Sequence, residues 1–159
     1  MDAFVQPLYE LADFDAIIRQ LKKPGIVQVS GCLDSQKAHF TNGLLREFPF
    51  RLIVAENDLK AKAFYEDFRL YDPEVLYYPA RDLIFYQADI HGNLLTRQRI
   101  QVLRALLERE EVTIVTSIDS CLDCLVPLAV WKEKVIKIRN DSEIDLDRMK
   151  RHLLELGDR

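Results

Sequence analysis

The residues best placed for chemistry lie in the first turn from a predicted strand into a helix. Gly31-Cys32-Leu33-Asp34-Ser35-Gln36-Lys37-Ala38 sets a glycine and a lysine at the spacing of a phosphate-binding loop, G-x-x-x-x-G-K-[ST]. Such a loop works because backbone N–H groups at a helix N-terminus close on phosphate, while a hydroxyl holds magnesium. Two of these requirements fail here. Gln36 puts a Cβ where backbone should approach phosphate, and Ala38 lacks the hydroxyl. Asp34 adds a negative charge inside the loop. The pattern predicts a degenerate loop at Gly31, Gln36, Lys37 and Ala38 that holds no nucleotide, so no cofactor is expected for this chain. No strand is followed by the acidic pair that would hold magnesium for hydrolysis, and no catalytic residue is assigned.

Other reactive side chains are scattered. Cys121-Leu122-Asp123-Cys124 has redox or metal spacing, but zinc needs four ligands. Cys32, His39, His91 and His152 show no spacing that would complete a set, so both thiols read as small core residues and no metal is expected. His91 falls in a predicted loop without a matching nucleophile. Arg97 and Arg99 sit on a predicted helix and read as a solvated or ion-paired face. Of Tyr65, Phe68, Tyr71, Tyr77, Tyr78, Phe85 and Tyr86, only Phe85 and Tyr86 fail to alternate into a core face. Arg148, Lys150 and Arg151, set against Asp145, Asp147 and Glu155, suit either an ordinary mixed helix face or an electrostatic docking surface.

These residues must be positioned by 159 residues, about one ordinary domain or one domain and part of a second. Apolar residues at 48% and charged residues at 30% describe a globular chain. No apolar run is long enough to span a membrane. The acidic, mixed start is unlike a signal peptide, and three cysteines fit a reducing cytoplasm. Lys and Arg total 22 against 26 acids, for a net charge of −4, which argues against a stand-alone nucleic-acid binder.

Helical spacing runs over 8–22, closed by Pro24-Gly25. A strand follows at 25–30 and a helix at 35–47, weakened by Asn42-Gly43. Then come a strand at 51–55, a helix to Leu70 capped by Asn57 or Asp58, a strand at 74–79, a loop at 80–93, a helix at 94–110 and a strand at 112–117. Four strands, each followed by a helix, predict an α/β fold: a four-stranded parallel sheet flanked by helices. A short helix begins in 118–126. Beyond Pro127, 130–140 reads as one alternating strand and 141–157 as a helix ended by Gly157. The predicted organisation is a domain over 1–126 and the start of an incomplete second module over 127–159. The stop just after Gly157 suggests a piece of a longer protein.

The run Tyr78-Pro79-Ala80-Arg81-Asp82-Leu83-Ile84-Phe85-Tyr86, followed by Arg99-Ile100, Leu103 and Val112-Thr113-Ile114-Val115-Thr116-Ser117, resembles the N-terminal region of bacterial transcription-repair coupling factors. In that family a Pro-Ala-Arg-Glu-like turn leads to an aromatic, an Arg-Leu-like pair opens a helix, and a strand ends in Ser or Thr. Asp82 replaces the usual Glu, and Phe85 stands where Pro is common. The resemblance covers nearly the whole chain from about residue 8, and it implies a helicase-like module with a degenerate phosphate loop. The same region is similar to the excinuclease protein UvrB, which verifies damage. That protein has an intact phosphate loop and an aromatic-rich hairpin, for which residues 80–93 leave no room.

The resemblance implies that the chain is a non-catalytic module that recruits the excinuclease protein UvrA. The full family protein is an ATP-driven DNA translocase of the bacterial cytoplasm that displaces stalled RNA polymerase. Its ATP and Mg belong to motor domains further along, it engages duplex DNA, and a C-terminal domain masks the UvrA platform. The module beginning near Pro127 matches that platform, and Arg159 sits near a family arginine. Arg148 and Arg151 are candidate partner contacts from charge alone. Two readings compete with recruitment. One is the ATP-binding half of a helicase-type motor or a damage-verifying excinuclease component. The other is a direct DNA-binding module.

Overall fold

Three runs rich in β-branched and aromatic residues make the sheet of the computed structural model, which describes residues 5–80, 90–123, 125, 127–135 and 145–155. They are β1 (Phe50–Ala55), β2 (Leu76–Tyr78) and β3 (Val112–Ser117). All three are parallel, in the order β1-β3-β2. β3 is central and buried along its length, which is why VTIVTS is apolar or hydroxyl-bearing throughout. Register pairs Leu52 with Ile114 and Tyr77 with Val115.

Parallel neighbours need crossover helices. α3 (Asp58–Phe68) connects β1 to β2, and α4 (Ile90–Glu108) precedes β3. The first connection steps outward across β3 and the second steps back. Right-handed crossovers therefore require the two helices on opposite faces. The core divides accordingly. One face packs Ala61 and Phe68 of α3 with Val75, Tyr77 and Val115. The other packs Val102 and Ala105 of α4 with Leu76, Tyr78, Val112 and Ile114. Each large apolar side chain among these contributes about 1.5–3 kcal/mol when buried.

A third cluster lies at the N-terminal side. A short 3-10 helix (Gln6–Glu10), α1 (Phe14–Leu21) and α2 (Asp34–Leu45) bury Val5, Leu8, Phe14, Ile18 and Leu44 together. The spacing over 8–22 predicts one helix; the chain instead breaks between Glu10 and Phe14. The break turns Leu8 and Phe14 onto the same spot of α2, at Gly43. A Cβ on Gly43 would lie 2.4 Å from Leu8 Cδ1 and 3.0 Å from Phe14 Cζ. The glycine that weakens the helical pattern is thus what permits the close approach.

The expectation of four strands is corrected to three. Residues 26–30 run without a ladder partner, and Ile26 is 98% exposed. A β-rich sequence becomes a strand only where a neighbouring strand takes its hydrogen bonds. Among the described residues no such neighbour pairs with this segment, which is set off by Gly25 (φ +154) and Gly31 (φ +87).

The chain divides into a unit over Met1–Cys124 and a unit over Leu125–Arg159. The first ends with α5 (Ile118–Cys121). The second contains α6 (Leu128–Lys134) and α7 (Leu146–Glu155). The strand expected at 130–140 is therefore corrected over Val130–Lys134, which is helical. Pro127 stands at the N-cap of α6, and its carbonyl accepts from Trp131 N at 3.1 Å. An alternating run such as VWKEK suits a two-turn helix as well as a strand, and the proline decides. Residues 136–144 lie outside the described residues. α7 begins later than expected because Asp145 turns the chain, its carboxylate accepting from Asp147 N at 3.0 Å.

Gly43→Val places a branched side chain against Leu8 and Phe14. It is expected to lower stability by about 1–3 kcal/mol, read as a lower midpoint in denaturant titration.

Candidate functional site

In parallel α/β folds, ligands bind beyond the C-terminal ends of the strands. Here that end is occupied by the chain's own polar groups. Asn57 caps α3, its Oδ1 accepting from Lys60 N at 2.9 Å. That frees Asp58, the other capping candidate, to reach across. Asp58 Oδ1 accepts from Ala80 N at 3.1 Å and from Ser117 Oγ at 3.4 Å. Its carbonyl accepts from Tyr77 OH at 3.4 Å. Ser117 Oγ also lies 2.9 Å from Ser120 Oγ, and both serines are almost fully buried. Burial first, and then the bond and charge of Asp58, push the Tyr77 phenol well above the usual value of 10.0. The tyrosine stays neutral and structural.

Asp58 thereby joins the ends of α3, β2 and β3. Both serines are sealed from solvent, and their hydroxyls are held by Asp58 and by each other. The arrangement fixes loops; it does not present a nucleophile. The sequence marks Asp58 only as a capping candidate and gives Ser117 and Ser120 no role. The one usable signal is the Thr-Ser end of the strand.

The second cluster centres on Arg99, which the sequence places on a solvated or ion-paired face. The side chain is buried instead, with the residue 8% exposed. Its guanidinium lies 4.2 Å from the centroid of the Tyr78 ring, donates to Pro79 O at 2.8 Å, and meets Asp123 Oδ2 at 2.8 Å. Both polar contacts are made by Nη1 beside the stacked ring, while Nη2 is buried without a hydrogen-bond partner among the described residues. Arg97, two positions away, is exposed.

The degenerate loop is closed by local bonds. Gln36 Oε1 accepts from Leu33 N at 3.4 Å, so it covers one of the N-terminal donors of α2. Lys37 Nζ lies 2.6 Å from Asp34 Oδ1. Lys37 holds the Asp34 carboxyl below its usual range, first through that hydrogen bond and then through its charge. Ala38 is buried against Ala61 and Phe68. Gly31 lies on the unpaired stretch, not at the end of a sheet strand. These residues depart from what ATP with magnesium needs at two positions: Gln36 covers one N-terminal donor, and the hydroxyl position is an alanine packed in the core, while Lys37 is held by an exposed ion pair.

The remaining candidates separate. His39 stacks on Tyr71 at 5.3 Å, while Tyr65 stacks on Tyr77 at 5.4 Å. Phe68, Tyr77 and Tyr78 are buried in the core. Cys32 is half-buried, and the expectation of a core thiol is corrected at Cys121, which is exposed. Among the described residues, no three His, Cys, Asp or Glu side chains converge as a metal site would require. The side chains of His91 and His152, together with Cys124, Phe85 and Tyr86, lie outside the described residues. In the second unit Arg151 is exposed on α7, with Nε 3.4 Å from Asp147 O. The Arg148 side chain and Arg159 lie outside the described residues. A cleft of about 410 Å³ opens at the opposite end of the sheet, between Arg46, Arg51, Asp72 and Glu111. Arg51 lies 3.7 Å from Asp72 and 3.8 Å from Glu111, and Thr113 donates to Asp72 at 2.7 Å, so this cleft is internally compensated.

Fold and site together define a parallel α/β domain with a closed, degenerate phosphate loop. No protein-family model matches the chain. Among curated proteins it is similar to a transcription-repair-coupling factor of Staphylococcus epidermidis, 25% identical over 134 residues. That match covers 82% of this chain and 12% of the relative. The corresponding protein of Staphylococcus haemolyticus is 24% identical with the same coverage. UvrABC system protein B of Treponema pallidum is 27% identical over 165 residues, covering 92% of this chain and 24% of that protein. The chain therefore spans about an eighth of the coupling factors it matches. These matches bear out the resemblance to the coupling-factor region and its likeness to UvrB, and both groups of relatives carry DNA-repair names. No helix among the described residues is long and apolar enough to cross a membrane.

Removing one partner of the Arg99–Asp123 pair strands the other charge. Arg99→Met or Asp123→Leu alone should cost ~2–3 kcal/mol, and the double variant clearly less than the sum, in a double-mutant cycle on denaturant midpoints.

Proposed function

We propose that this chain is a non-catalytic recruitment module of transcription-coupled repair, which binds the excinuclease protein UvrA. The observation that carries this reading is the conjunction of coupling-factor similarity over 82% of the chain with a phosphate loop whose Lys37 is tied to Asp34. A motor half would need that lysine free for phosphate. The serines and tyrosine beyond the strand ends are likewise committed to internal bonds.

In this reading the first unit is a scaffold, and the second presents the contact surface. Arg151 is exposed on α7 beside an acidic first turn, and Arg148 and Arg159 complete the basic set. The chemistry favours electrostatic docking that steers association. A longer protein of this kind would carry the ATP- and Mg-dependent motor elsewhere. It would also engage duplex DNA and stalled RNA polymerase, and would mask the UvrA surface with a C-terminal domain. Its setting would be the bacterial cytoplasm. The helicase-like character of the scaffold belongs to the same proposal. The similarity to UvrABC system protein B favours one second reading, a region of a damage-verifying excinuclease component.

Calorimetric titration of this chain with purified UvrA tests the reading. Saturable binding is expected, weakened several-fold by Arg151→Ala or Arg159→Ala and by added salt. No heat at saturating UvrA, with the chain shown to be folded, contradicts the recruitment role of these residues.

A further inference from the structure

We draw no further inference here: the strongest candidate, the cleft between Arg46, Arg51, Asp72 and Glu111 at the N-terminal ends of the strands, carries nothing, because Arg51 is already held between Asp72 and Glu111 and nothing in the structure shows what covers it.

Discussion

A buried cation joins three separate pieces of the first unit. Arg99 projects from α4 into the layer between that helix and the end of β2, where it meets a ring, a carbonyl and a carboxylate. Burying a guanidinium costs several kcal/mol unless its charge and donors are matched. Tyr78, Pro79 and Asp123 offset part of that cost from separate places in the chain, with Nη2 left without a hydrogen-bond partner among the described residues. The charge is satisfied only when α4, the end of β2 and the turn after α5 come together, so one side chain specifies how three pieces assemble. Apolar packing beneath it supplies the bulk of the stability, and Arg99 supplies the uniqueness of the arrangement.

The same logic governs the strand ends. Asp58 plays on the α3 side the part Arg99 plays on the α4 side, linking α3 to Ala80 and Ser117. Between them the two residues fix the loops that would otherwise shape a ligand site. These internal bonds leave fewer free donors at the strand ends for a phosphate or a reacting group. The proposed contact positions, Arg151 among them, lie away from these bonds, on α7. This is the physical basis for reading the chain as a binding module.

Elements with a strong internal period are legible in the sequence. β3, α3 and α4 follow from their apolar spacing, and Gln36 and Ala38 mark where the sequence departs from a phosphate-loop pattern. What is not legible depends on distant neighbours. Residues 26–30 have strand composition, but no strand among the described residues pairs with them. The segment 8–22 has helical spacing, yet bends so that Leu8 and Phe14 meet Gly43. Val130–Lys134 alternates like a strand but is helical, because a helix starts just after Pro127. Arg99 reads as a surface residue because its partner Asp123 lies on a remote turn, and no local pattern reports such a pairing. Asp58 is hidden for the same reason, since capping and bridging use the same side chain type.

A binding module built on this scaffold requires the nucleotide site to be closed. Thermal unfolding of the chain with and without millimolar ATP and magnesium tests that most directly, because a ligand that binds the native state raises the melting temperature. Closure predicts superimposable melts. A rise of several degrees that depends on both ATP and magnesium would show Lys37 released from Asp34 and would contradict closure.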